Sequence, residues 1–153
     1  MKKSLLLSLM ILVSLSLSAQ EKNDAVVSEK IKTTFAKLYP KAKDVKWKNN
    51  GEVIYGAFMH KEKYVGAMFK ADTLLGAISQ MEIASLPKPV KKHLDKYYRK
   101  YSITQTGKMH FASNRNKNNI CYVTDLTNGT ITKRVMCLPN GDEFGGTSTV
   151  SEK

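Results

Sequence analysis

The stretch from Ile31 to Met59, IKTTFAKLYPKAKDVKWKNNGEVIYGAFM, constrains this chain more than any other, because it switches from a helical to a strand period across one proline. Val27, Ile31, Phe35 and Leu38 recur at helical spacing and form one apolar stripe, with Lys30, Lys32 and Lys37 on the wet side. Pro40 cannot continue a helix and pushes Tyr39 out of helical geometry, so the helix ends there. Val45 and Trp47 then alternate with Asp44, Lys46 and Lys48, the period of a half-buried strand, and parity with Val45 makes Trp47 a core residue. Asn49-Asn50-Gly51 is a hairpin turn. Strands over Glu52 to His60 and Lys63 to Lys70 follow around a tight Lys61-Glu62 connection, and a fourth runs from Leu74 to Ile83.

A weaker copy of this unit begins at Val90. In VKKHLDKYYRKYSI, Val90 stands against Ile31, Leu94 against Phe35 and Tyr98 against Tyr39 at one offset. Leu86-Pro87-Lys88-Pro89 is the joint between the copies. Strands are predicted near 102–112, 119–126, 131–138 and 142–147, and the small, polar end of the chain reads as a mobile tail. One helix with a curved hairpin sheet cannot bury its apolar face in so few residues; two copies side by side can share a core.

Residues 1–19 carry a positive Lys2-Lys3 start, a Leu-rich run from Leu5 to Leu17 and a small residue at Ala19, the pattern of a cleaved secretory leader. The run is short of the roughly 20 apolar residues that cross a bilayer. A soluble periplasmic or secreted protein is therefore expected. Loss of Lys2 and Lys3 takes the formal charge from +12 to +10. That balance suits electrostatic contact with an anionic envelope surface, and export argues against nucleic acid as the partner. Cys121 and Cys137, the only cysteines, flank the Asn128-Gly129 turn at nearly equal distance, so one disulfide is expected in an oxidising compartment.

No catalytic constellation is written in the chain. There is no G-x-S-x-G, phosphate-cradling glycine loop, Rossmann fingerprint or H-E-x-x-H. His60, His93 and His110 sit in separate elements, and two thiols with three scattered histidines do not make a zinc site. No enzyme activity, cofactor or metal is expected. The lysines around the second helix read first as a solvated face and second as a docking surface for an anionic partner.

One oddity points to binding. Tyr55, Ala57 and Met59 share one strand face, and Val65, Ala67 and Phe69 share one in the next strand. Setting these two groups against the helices leaves Ile54, Phe58, His60, Tyr64 and Met68 on the far side, where a sheet covered on one side should be polar. These five are the expected partner-binding face. In the second copy, alignment of Phe69 with Leu138 puts Ile131, Val135 and Cys137 on that same outer face, whereas their apolarity puts them in the core.

At these residues the chain resembles the exported PepSY-like family, whose fold is likened to that of the beta-lactamase inhibitory protein. The features that carry this are FAKLYPKAKDVKW at Phe35 to Trp47, FKADTLL at Phe69 to Leu75 and SLPKPVKKHL at Ser85 to Leu94. The second copy departs from the pattern: Arg99 replaces the proline, and no tryptophan follows Ile103. The resemblance implies an α+β fold of tandem helix-plus-antiparallel-sheet repeats, one over 20–84 and one over 85–147 with a tail at 148–153, forming one continuous sheet with both helices on one face. It also implies a non-catalytic, exported protein-binding role, with inhibition of an envelope or secreted hydrolase as its sharpest form. The alternative is a carrier of a small ligand or envelope polymer on the aromatic second face. A closed pocket among Phe58, Tyr64 and Met68 favours the carrier, and an open apolar sheet face favours the protein binder. Mass spectrometry of the envelope fraction is expected to find a chain beginning at Gln20.

Overall fold

The computed structural model describes residues 26–112 and 119–152, so the leader reading lies outside the described residues. The elements are α1 (Glu29–Leu38), β1 (Lys43–Asn50), β2 (Val53–His60), β3 (Lys63–Lys70), β4 (Thr73–Met81), a short 3-10 turn (Ile83–Ser85), α2 (Lys88–Tyr97), β5 (Ser102–Phe111), β6 (Ile120–Thr127), β7 (Ile131–Cys137) and β8 (Ser148–Glu152). All eight strands form one antiparallel sheet in sequence order. The α+β class and the continuous sheet expected from the sequence are what the chain adopts.

Ser28 starts α1 by accepting a hydrogen bond from the Ile31 amide, and its hydroxyl donates to Asp72 in the β3–β4 turn, which pins the helix to the sheet. Ile31 and Phe35 then face the sheet, where Phe58, Ala67 and Phe69 close the first core cluster with Val27. Phe35 meets Phe58 edge-on at 4.8 Å and Trp47 at 5.1 Å. In the second half Leu86, Val90 and Leu94 pack on Leu126, Val135 and Cys137. Strand register carries Ala67 to Ala77, Ala77 to His110, Lys108 to Tyr122 and Tyr122 to Cys137, so both clusters and both helices lie on the same side of the sheet.

The face expected for β2 is reversed. His60 pairs with Lys63 across the two-residue turn, so Phe58 lies opposite Val65 and Ile54 opposite Phe69. Ile54, Phe58 and His60 therefore point toward α1, and Tyr55, Ala57 and Met59 point away. Phe58 is only 2 % exposed. Gly56 sits on the helix side because the Trp47 ring covers it, and a Cβ there would lie 2.7 Å from Trp47 Cζ3. The β3 assignment, with Val65, Ala67 and Phe69 toward the helices, agrees with the register.

Three further expectations are corrected. Val45 is exposed, because the β1–β2 register shifts between Lys43 and Lys46 and Asp44 takes a left-handed φ of 53°, which breaks the alternation. Val135 and Cys137 are fully buried against α2, so apolarity, not the alignment, decides the orientation of β7. Residues 142–147 form a loop in which only Glu143 makes an isolated antiparallel bridge, to Cys137, and the strand itself begins at Ser148, within the expected tail. Gly145 and Gly146 have φ of 74° and 76°, which no extended strand adopts.

That loop is clasped to α2. Glu143 accepts from Thr147 Oγ1 at 2.6 Å and from the Tyr98 hydroxyl at 3.0 Å, and lies 3.3 Å from His93 Nε2. The Thr147 hydrogen bond foremost, with those of Tyr98 and His93, holds the Glu143 carboxyl below its ordinary pKa.

Phe58→Ala is expected to cost about 3–5 kcal/mol in urea unfolding, since it empties the centre of the first cluster. Tyr64→Ala and Met68→Ala, on the opposite face, should each change stability by about 1 kcal/mol or less.

Candidate functional site: the open face of the sheet

The side of the sheet away from the helices carries a half-open trough of about 330 Å³, lined by residues from β1 to β7. Its floor is made shallow-sided by two glycines. Ile78 lies down between them, and a Cβ at Gly66 would be 3.3 Å from Ile78 Cγ2 and one at Gly107 2.9 Å from Ile78 Cδ1. Met68, Met109 and Met136 with Tyr55 form the apolar walls. Methionine is unbranched and polarisable, so such walls can repack around differently shaped guests.

The two ends of the trough are polar and unlike each other. At the β6–β7 end, Arg134 Nε and Nη2 donate to both carboxylate oxygens of Asp125 at 2.7 Å each. Asp125 is 8 % exposed, and its hydrogen bonds foremost raise the Arg134 pKa further. Beside it on β5, the Gln105 Oε1 atom is buried, and among the described residues no donor reaches it. At the β1 end, Lys46 and Lys48 are exposed, and among the described residues no carboxylate approaches either within ion-pair distance.

Of the five expected face residues, Met68 alone lines the trough. Tyr64 shares its side of the sheet, paired with Met59. Ile54 and Phe58 belong to the first core cluster, and the His60 ring stands 5.6 Å from the Tyr39 ring on the helix side. Sequence reasoning missed Ile78, Gly107, Met109, Gln105 and the Asp125–Arg134 pair. The available signal was the row of mid-strand glycines, which in a sheet marks a bulge, a bend or a close approach.

The expected Cys121–Cys137 disulfide is absent: both thiols are free and buried. Register explains why. Cys137 pairs with Tyr122, one residue past Cys121, so alternation sends Cys137 into the helix-side core and Cys121 to the opposite face beside Met109. Burial raises both thiol pKa values to about 11. In protein isolated without reductant, Ellman's reagent at pH 8 should therefore label neither thiol in the native state and two after denaturation. A stoichiometry of zero in denaturant would restore the disulfide.

No family model and no curated protein sequence matches the chain. Solved structures do match. A BLIP-like protein from Bacteroides fragilis is 18% identical with a TM-score of 0.64, over 82% of this chain and 88% of that one. A DUF2874 family protein from Bacteroides ovatus is 17% identical with a TM-score of 0.68, over 82% and 89%. A protein from Bacteroides eggerthii described as a candidate periplasmic protein is 11% identical with a TM-score of 0.70, over 82% and 90%. The fold of this chain is BLIP-like, as its sequence resemblance implies.

Proposed function

We propose that this protein is an exported, non-catalytic binding module that docks another protein on the open face of its sheet. The observation that carries this reading is the asymmetry of the sheet: one side is closed by two helices, and the other keeps an apolar trough open to solvent. Apolar surface contributes about 25 cal/mol per Å² when removed from water, so a contiguous patch left uncovered marks a place where something docks. An open face, in place of a closed pocket, favours a protein over a small ligand or polymer as the occupant.

The chemistry of the trough supports a non-catalytic role. Among the described residues Asp125 is its only carboxylate, and both oxygens of that group are taken up by Arg134. The His93–Glu143 pair lies at the α2–loop clasp, outside the trough. The candidate periplasmic neighbour and the leader-like N-terminus support export. The BLIP-like neighbour supports the inhibitory form of the reading, in which the trough seats a surface segment of an envelope or secreted hydrolase. Lys88, Lys92, Lys96, Arg99 and Lys100 around α2 add the means for electrostatic contact with an anionic envelope surface.

A photo-crosslinking residue at Met109 is the test, compared with one at Lys92 on the helix side, in cells that make the protein. A discrete protein adduct is expected from Met109 and not from Lys92, and Ala57→Trp, which fills the trough, should reduce it at least about tenfold. Adducts of equal yield from both positions would end the reading, and a non-protein adduct at Met109 would turn it to the carrier alternative.

A further inference from the structure

We infer that the trough selects a protein segment with aliphatic side chains at its centre, a carboxylate toward β1 and a hydrogen-bond donor toward β5. This rests on the docking reading and names the partner chemistry of that site.

The first argument is charge. Among the described residues, the trough holds two positive groups without a carboxylate partner, Lys46 and Lys48, and its one acid, Asp125, is taken up at hydrogen-bonding distance by Arg134. A guest with a carboxylate near Lys46 and Lys48 gains attraction that steers encounter and fixes orientation, and a cationic guest is repelled. The second argument is the acceptor. Gln105 Oε1 is shut off from solvent and, among the described residues, has no donor; an unpaired acceptor is costly, so rotation of this trough-lining amide toward a guest N–H or O–H is favoured over contact with an apolar group.

The centre sets the rest. Ile78 lies flat between Gly66 and Gly107, so the floor admits side chains from above and offers them no polar partner. Met68, Met109 and Met136 adjust around them, which favours aliphatic groups without demanding one shape. Four strand spacings of about 4.8 Å separate β1 from β5, so the two polar anchors stand about 19 Å apart across the sheet, the reach of about six extended residues. A short segment can touch both at once.

The test displays random 12-residue peptides against the immobilised protein, with Ala57→Trp as a blocked control. The wild type is expected to enrich peptides in which Asp or Glu stands a few residues from Leu, Ile, Val or Met, and the blocked variant to retain none of them. Lys46→Glu with Lys48→Glu, both on the exposed edge strand, should weaken the enriched peptides at least about tenfold and select Lys- or Arg-bearing ones instead. Gln105→Met should weaken the original peptides about three- to tenfold. Trough-dependent peptides without an acidic bias, or the same peptides from wild type and the charge-reversed variant, would overturn this inference while leaving protein docking intact. Failure to enrich any peptide sensitive to Ala57→Trp would overturn both.

Discussion

The contact between Phe58 and Phe35 fixes more of this molecule than any other. Phe58 stands at the middle of β2 with its ring against Phe35 and Tyr39, and Trp47 closes the cluster from β1. Once Phe58 turns toward α1, alternation sends Ala57 the other way, and the hairpin register sends Gly66 and Met68 with it. The largest part of the first half's apolar bulk is thereby placed on the helix side, and Ala57, Gly66 and Met68 are left on the open side between Tyr55 and Tyr64. The trough is the complement of the core.

Much of the architecture was legible because it rests on local signals. The Tyr39-Pro40 stop, the hairpin turns and the second helix at Val90 are each settled within a few residues. The face of β2 is also legible in the sequence, through the length of its turn. A two-residue Lys61-Glu62 turn pairs an odd position with an even one, so Tyr55, Ala57 and Met59 cannot share a side with Val65, Ala67 and Phe69. Apolarity could not make that choice, since both sides of β2 are apolar. Val45 misled because a left-handed residue at Asp44 breaks the alternation, and nothing but a partner strand reveals such a bulge.

The trough itself was largely out of reach of a linear reading. Lys46 and Arg134 enclose one space only because the seven strands from β1 to β7 pair in order. The Asp125–Arg134 pair depends on the register of β6 against β7, which follows from the Asn128-Gly129 turn only when the loop length is known. The cysteines show the same limit. Near-equal distances from a turn predict neighbours, but a one-residue offset decides whether two side chains share a face. Likeness in fold at 11–18% identity leaves all of this open, because packing patterns persist while the exposed face is free to differ.

The strict sequence order of the eight strands has a consequence for how the molecule assembles. No strand waits for a distant one; each is hydrogen-bonded to the segment that precedes it in the chain. Loop-closure entropy is therefore met in small instalments, the longest being the α2 connection between β4 and β5. A chain emerging N-terminus first through a narrow pore could add one strand at a time to a growing edge. Until the next strand arrives, the edge that must be protected from other chains is always the newest one. When assembly is complete, one permanent edge is β1, where the bulge at Asp44 and the row of lysines make it a poor template for another chain.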